Sequence, residues 1–295
     1  MLELIEVNDI DFAYGYVILG AYFFRIRTNI DNEVYPNEEY ARLWRDYFKR
    51  VDFDSMLRKA FELISIPPKH NCLNFYDCLT RSAYFALIHK DHPNITLGFL
   101  KDADLWDLWL REGIFKVARE RIAEIISPSD GDRILDLGCG SVSPSYYAEL
   151  VGPNGIYTGV DFSKPLLGLA HERVKEERFD WVNLRQEYVD SRLHFKRAYD
   201  FVICSSILQY ADLKATLRNA VEALRGEGTI VVFSDVFRDL EPEKAELFEL
   251  YYRLIPNFKG FPSVSDIVDY LSKFCEFKYR MIDKNFLKIE VKDFI

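Results

Sequence analysis

The 295-residue sequence predicts a doubly wound α/β domain preceded by a mainly helical segment. Three observations carry that prediction. From Arg133 onward, short apolar runs alternate with helical patterns, the arrangement that builds a parallel sheet with crossover helices. The first run, Arg133-Ile134-Leu135-Asp136-Leu137, enters the tight turn Gly138-Cys139-Gly140, at the strand edge where doubly wound folds bind nucleotides. The chain ends on two strand patterns, 277–282 and 286–291, paired around Asp283-Lys284-Asn285.

Residues 1 to about 100 are of another kind. Tyr14 to Phe24 is dense in aromatics, and from Glu38 to about Ser65 apolar residues recur at helical spacing. A break near Asp52-Phe53-Asp54 predicts two helices there, and Pro67-Pro68 ends the second. Leu79 to Lys90 reads as a further helix and His92-Pro93-Asn94 as a loop. A long amphipathic helix then runs from Asp102 to about Ile126, capped by Asp102 or Asp104 and stopped at Ser127-Pro128. Trp106 and Trp109 share one of its faces, and core packing accounts for at least one of them.

The glycine turn has a physical purpose. Without Cβ atoms, Gly138 and Gly140 let the backbone bend sharply and let a ligand approach it. Ser143-Pro144-Ser145 supplies a cap and a first-turn proline for a helix to about Leu150. The second strand, Ile156 to Val160, ends at Asp161, whose carboxylate can accept hydrogen bonds from ribose hydroxyls. Asp136 faces the turn from inside the first strand. A carboxylate there suits a cationic ligand and repels a pyrophosphate, and a dinucleotide pattern would put its third glycine at Ser143.

Ile134-Leu-Asp-Leu-Gly-Cys-Gly140 followed by Gly152-Pro-Asn-Gly-Ile-Tyr-Thr-Gly-Val-Asp-Phe-Ser163 resembles motifs I and II of the class I S-adenosylmethionine-dependent methyltransferases. The resemblance covers about Ala103 to Ile295. It implies a seven-stranded Rossmann-like sheet with an antiparallel last strand, S-adenosylmethionine as methyl donor and S-adenosylhomocysteine as product. It also implies donor-binding roles. Asp136 would face the cationic methionine end, Gly138, Cys139 and Gly140 would form the close-approach turn, and Asp161 would take the ribose. Phe162, Tyr188, Val189 and Asp190 would surround the adenine, with Ser205 and Ser206 at the exit of the fourth strand. Two positions depart from the family pattern: Val142 stands at the third glycine, and Tyr188 takes the slot of an adenine-binding Asp, leaving Asp190 as the acidic candidate.

The remaining elements follow in order. Ser163 and Pro165 open a helix to Phe179, and Trp181 to Gln186 is the third strand. Tyr199 to Cys204 carries the apolar run of a central parallel strand. Its exit, Ile207-Leu208-Gln209, resembles the Ile/Val-Leu-His of small-molecule methyltransferases, in which the His of the plant-type phenol O-methyltransferases is a general base. An amide cannot take that proton, so Gln209 is left to orient an acceptor, and no general base is assigned, to His70, His89 or His92 included. Neither the Asn/Asp-Pro-Pro-aromatic run of base amino-methylases nor the Pro-Cys pair of pyrimidine C5 methylases is present. Leu213 to Leu224 is a helix with Arg225-Gly226-Glu227-Gly228 as its stop, and Thr229 to Phe233 is the fifth strand. Glu241 to about Leu254 reads as helical, with Tyr251, Tyr252 and Phe258 as acceptor-wall or core residues. Ser263 or Ser265 caps a helix to about Phe274.

Composition narrows the function. A net charge of −9 argues against a nucleic-acid partner. Five cysteines without C-x-x-C spacing suggest neither a disulfide frame nor a metal site. No signal peptide is evident, and the apolar run Phe12 to Phe24 is too short to span a bilayer, so a cytoplasmic protein is expected. The expectation is a helical cap over residues 1–101, serving as acceptor lid or homodimer surface, and a donor-binding domain over 102–295. The expected reaction moves a methyl group to oxygen or carbon of a small, largely apolar organic acceptor. Two alternatives stay open: an RNA or protein methyltransferase with the cap as docking module, and a catalytically silent donor-binding protein.

Overall fold

The computed structural model describes residues 8–68, 70–89, 98–195 and 197–294. Helices come first: α1 (Asn8–Thr28), α2 (Glu38–Arg50), α3 (Phe53–Ile64), α4 (Leu73–Ile88), α5 (Ala103–Arg111) and α6 (Gly113–Ile126). Strands and helices then alternate through β1 (Arg133–Leu137), α7 (Ser143–Val151), β2 (Ile156–Asp161), α8 (Lys164–Glu177), β3 (Val182–Gln186), β4 (Tyr199–Ser205), α9 (Leu213–Ala223) and β5 (Leu224–Phe233). Last come α10 (Pro242–Tyr252), α11 (Val264–Leu271), β6 (Cys275–Ile282) and β7 (Phe286–Phe294). The chain divides into two compact units, one holding residues 1–98, 112–114 and 243–258, the other 99–111, 115–242 and 259–295.

The first unit is helical and aromatic. Asn37 caps α2 by accepting from the Tyr40 N–H, and Asp52 caps α3 by accepting from the Ser55 N–H, so the chain breaks where the pattern predicts. The aromatic-dense stretch is α1, and Ala13, Tyr14, Val17, Ile18, Ala21 and Phe24 form its buried stripe. Trp44 centres this unit's core, 4.5 Å from Phe24 and 5.0 Å from Tyr251 of α10, while the Tyr40 hydroxyl donates to the Leu250 carbonyl. α4 begins six residues before the predicted start; Lys90 and the loop His92-Pro93-Asn94 lie outside the described residues.

The predicted single helix over 102–126 is two helices. Gly113, the first residue of α6, has φ +62°, a left-handed conformation that breaks a continuous right-handed helix, and a Cβ there would lie 2.7 Å from the Asn71 carbonyl oxygen. Trp106 and Trp109 are both buried, and Phe99 stacks on Trp106 at 4.4 Å.

The second unit is built on a seven-stranded sheet of order β3-β2-β1-β4-β5-β7-β6. β1 pairs in parallel with β2 and with β4, whereas β7 runs antiparallel to β5 and to β6. Strand order reverses between β1 and β4, and at such a switch point the loops leaving the two strands diverge and open a crevice. Three local expectations are corrected. The cap position of α7 is Val142, with Ser143 already inside the helix. Arg225-Gly226-Glu227-Gly228 belongs to β5, because the strand shifts register between its pairings with Tyr199 and Phe201 and so absorbs the glycines that suggested a helix stop. β6 starts at Cys275, two residues before the predicted hairpin arm. The hairpin turn itself places Asp283 and Lys284 at φ +51° and +59°. None of the five cysteines forms a disulfide, and no helix of the described residues is long and apolar enough to cross a membrane.

Candidate active site

The carboxyl ends of β1, β2 and β4 carry most of the predicted residues. Gly138 and Gly140 have φ of +85° and +60°, so both need glycine's freedom. The turn is held from below by the Val160 carbonyl, which accepts from the N–H groups of Gly138 (2.8 Å) and Cys139 (3.1 Å). Cys139 points its thiol into the packing against Gly159, and burial pushes that thiol well up. Its contribution to the turn is therefore backbone.

Asp161 ties two turns together. One oxygen accepts from the Gly140 N–H (2.9 Å) and the other from the Ser163 N–H (2.8 Å). Each oxygen keeps a further lone pair for a ligand hydroxyl. Burial raises its pKa, against those backbone N–H groups, which lower it.

Asp136 is the least solvated charge in the crevice, at 1% exposure. Its Oδ2 accepts from the Tyr157 hydroxyl at 2.8 Å, whereas its Oδ1 is buried with no partner among the described residues. Burial, aided by the Asp161 charge, pushes its carboxyl up to about 7 against the opposing pull of Tyr157 and Arg119.

At the end of β4, Ser205 is half-buried, and Ser206 has φ +49° with a buried hydroxyl that lacks a partner among the described residues. Gln209 is buried, and neither its amide oxygen nor its nitrogen has a hydrogen-bond partner among the described residues. Its backbone is fixed by the Lys259 N–H, which donates to the Gln209 carbonyl at 2.7 Å.

The residues expected around the adenine are dispersed. Tyr188 is 63% exposed and stacks on Phe162, with ring centroids 5.4 Å apart and planes 15° from parallel. Val189 is buried, its carbonyl accepting from the Asn219 amide. The Asp190 carboxylate accepts from the Asp212 N–H at the start of α9 and pairs with Lys259 at 3.5 Å. It lines a polar pocket of about 320 Å³ with Arg192, Arg218 and Glu222.

Two features escaped sequence reasoning. The first is a clamp on the glycine loop: Asp107 accepts from the Ser141 hydroxyl (2.6 Å) and pairs with Arg173 (2.7 Å), which also donates to the Ser141 carbonyl. Burial pushes the Asp107 carboxyl up, but the Arg173 and Ser141 hydrogen bonds prevail and hold it below the ordinary range. The second is Arg119 on α6, a buried cation whose Nη1 donates to the Leu110 carbonyl at 2.9 Å. Its position was legible: Phe115, Arg119, Ile122 and Ile126 share one helical spacing, so a cation stands in an apolar stripe.

The family described as "Methyltransferase domain" matches residues 128–260. The chain is 33% identical over 271 residues to MJ0906, an uncharacterized protein of Methanocaldococcus jannaschii, covering 87% of this chain and 74% of the relative. It is 27% identical to the demethylmenaquinone methyltransferase of Lactococcus lactis over 58% of this chain, spanning 63% of that enzyme's length. Its fold is similar to that of the citrinin polyketide synthase CMeT domain, with TM-score 0.61 and 14% identity over 99% of this chain and 90% of that one.

Proposed function

We propose, for a chain that belongs to the S-adenosylmethionine-dependent methyltransferase family, that it transfers a methyl group to oxygen or carbon of a small, largely apolar organic acceptor. The observation that carries this reading is the set of buried polar atoms left unpaired at the switch point: Asp136 Oδ1, Ser206 Oγ and both amide atoms of Gln209. Buried polar groups are almost always hydrogen-bonded, and each orphan costs about 1–3 kcal/mol. A cluster of orphans at a crevice therefore fits a polar ligand that completes them.

The donor fits the residues present. Asp136 holds the cationic methionine end, the turn at Gly138 and Gly140 admits the sugar to the backbone, and Asp161 retains free lone pairs for ribose hydroxyls. The exposed Tyr188 ring, parallel to Phe162, offers the base an aromatic face. Bound there, the donor supplies a methyl group on a sulfonium with a good leaving group. The task left to the chain is alignment, which by itself can remove much of the barrier. Gln209 offers one acceptor and two donors to an acceptor molecule's oxygen, and being an amide it takes no proton. The acceptor then arrives ionised, or loses its proton to solvent. A small organic acceptor is supported by the demethylmenaquinone methyltransferase relative and by the acidic chain, which suits nucleic acid poorly. We assign acceptor selection or dimerisation to the helical unit on the same footing.

Calorimetric titration with S-adenosylmethionine and S-adenosylhomocysteine tests the donor. Micromolar binding of both is expected; binding of neither refutes the reading. Transfer of labelled methyl to quinol or phenol acceptors, compared with RNA and protein, tests the acceptor class. Tight donor binding without transfer to any of them would favour the silent alternative, which Gln209 at the base position keeps open.

A further inference from the structure

Two buried serines follow the turns at the ends of β1 and β2, and both send their hydroxyls to one short stretch of chain. Ser141, directly after Gly140, donates to the Asp107 carboxylate at 2.6 Å, and Ser163, two residues beyond Asp161, donates to the Phe99 carbonyl at 2.8 Å. The stretch is Phe99–Arg111, which carries α5. It is firmly held. Asp107 also takes two guanidiniums, that of Arg173 on α8 at 2.7 Å and that of Arg111 at 3.1 Å, and Arg173 reaches on to the Ser141 carbonyl at 2.8 Å. The Phe99 ring stacks on Trp106 and meets the Phe162 ring edge-on at 5.9 Å, while Leu110 fills the space in which a Cβ on Gly140 would stand. A buried carboxylate facing two guanidiniums and a hydroxyl makes hydrogen bonds of the strong, charge-assisted kind. The same two turns meet again at Asp161, one oxygen of which accepts from the Gly140 N–H and the other from the Ser163 N–H, at 2.9 and 2.8 Å. What the α5 stretch grips is therefore Ser163 itself and the immediate neighbour of Gly140.

A carboxylate fixed by two backbone N–H groups aims its remaining lone pairs wherever those groups put it. Hydrogen bonds weaken steeply with misalignment, so a small displacement of either turn spoils the fit to a ribose. We propose that Asp107 is a positioning residue for the ribose site: through the Ser141 hydroxyl it fixes the glycine turn against Asp161. Arg173 supports the same arrangement from α8, and the Phe99 carbonyl secures the second turn. This assignment rests on the donor reading above. It implies a coupling that packing alone does not produce. Loosening the clamp weakens the hold on the ribose hydroxyls, while the base and the amino-acid end, assigned to Tyr188 and Asp136, keep their own contacts.

The test compares S-adenosylhomocysteine with its 2′,3′-dideoxy analogue, which lacks both ribose hydroxyls, by calorimetry on the full chain. The wild type is expected to favour S-adenosylhomocysteine by about 10- to 100-fold, the range of hydrogen bonds to a charged group. Ser141→Ala and Asp107→Ala are each expected to weaken S-adenosylhomocysteine by about 3- to 10-fold, the scale of one net hydrogen bond, and to leave the analogue unchanged. Asp107→Asn, which keeps an acceptor for the Ser141 hydroxyl, is expected to retain most of the preference. Unchanged binding of the analogue also reports that a variant is folded. Should Asp107→Ala fail to fold, Ser141→Ala decides alone, because it leaves the pairing of Asp107 with Arg173 and Arg111 in place. Equal weakening of both nucleosides in Ser141→Ala, or no weakening of either, overturns the assignment. A wild type that binds the two equally removes the ribose role of Asp161 and this assignment with it, whereas binding of neither refutes the donor reading itself.

Discussion

Replacing Asp136 with Asn separates what the site costs from what it does. Asn keeps the acceptor for the Tyr157 hydroxyl and removes the charge. In the folded chain the carboxyl titrates at about 7 rather than 3.8, chiefly because burial disfavours the anion. Below pH 3.8 the folded and unfolded carboxyls are both neutral, so the raised pKa contributes nothing. Between 3.8 and about 7 the unfolded carboxyl ionises while the folded one keeps its proton, so stability falls as pH rises. Above about 7 the loss is complete. A tenfold change in an ionisation constant is worth about 1.4 kcal/mol, so the full displacement amounts to about 4 kcal/mol. Asp136→Asn removes that loss. Urea denaturation of both proteins across pH 4 to 8 is the assay, and the difference between them cancels the other groups that titrate alike in both. The variant should gain about 2–4 kcal/mol over the wild type between pH 4 and pH 8, yet lose donor affinity by tenfold or more. A stability difference flat within about 0.5 kcal/mol across that range refutes the reasoning. For the wild type, donor affinity should fall below pH 7, because the ammonium requires an ionised partner.

Three further outcomes are expected. Asp161→Ala should weaken donor binding by roughly 1–3 kcal/mol and also lower stability, since it strands the N–H groups of Gly140 and Ser163; calorimetry showing unchanged affinity would sink the ribose role. Tyr188→Ala, at an exposed position, should leave the melting temperature within a degree or two and reduce donor affinity by about 0.5–1.5 kcal/mol, the scale of an aromatic stacking contact. Gln209→Ala should leave donor affinity intact and lower turnover by about tenfold, so a loss confined to donor binding in the titration would contradict an acceptor-facing amide.

The sheet was legible because parallel strands buried on both faces must be apolar, as Ile134-Leu135 and Val202-Ile203-Cys204 are, and because each glycine turn and cap has its own chemistry. Legibility failed where tertiary contacts overrode local preference. Amphipathic spacing runs unbroken through 102–126, and only the left-handed Gly113 set against the Asn71 carbonyl divides it. Gly226 and Gly228 read as a helix stop, but a register shift beside β4 took them into a strand. In the site, motif residues were read from their order in the chain, whereas Asp107 acts on Ser141 and Arg173, 34 and 66 residues away, for which no local pattern exists.

What the orphaned atoms share is more informative than any one of them. Arg119 Nε, Asp136 Oδ1, Ser206 Oγ and the Gln209 amide come from segments as much as 90 residues apart, and a sequence drifting toward stability would replace each with an apolar side chain. Arg133 Nε, at the opposite end of β1, is an orphan without such an account. At about 1–3 kcal/mol each, the four residues of the switch point withhold stability comparable to the whole net stability of a small domain. Such a deficit is tolerable in a protein that spends its time liganded, because a ligand present at a hundred times its dissociation constant returns about 2.7 kcal/mol to the folded state. The donor should therefore raise the melting temperature of the wild type by several degrees and that of Asp136→Asn by about half as much or less, since a tenfold loss of affinity cuts that return to about 1.4 kcal/mol. A donor that stabilised both proteins equally would place its binding energy elsewhere than on the buried charge.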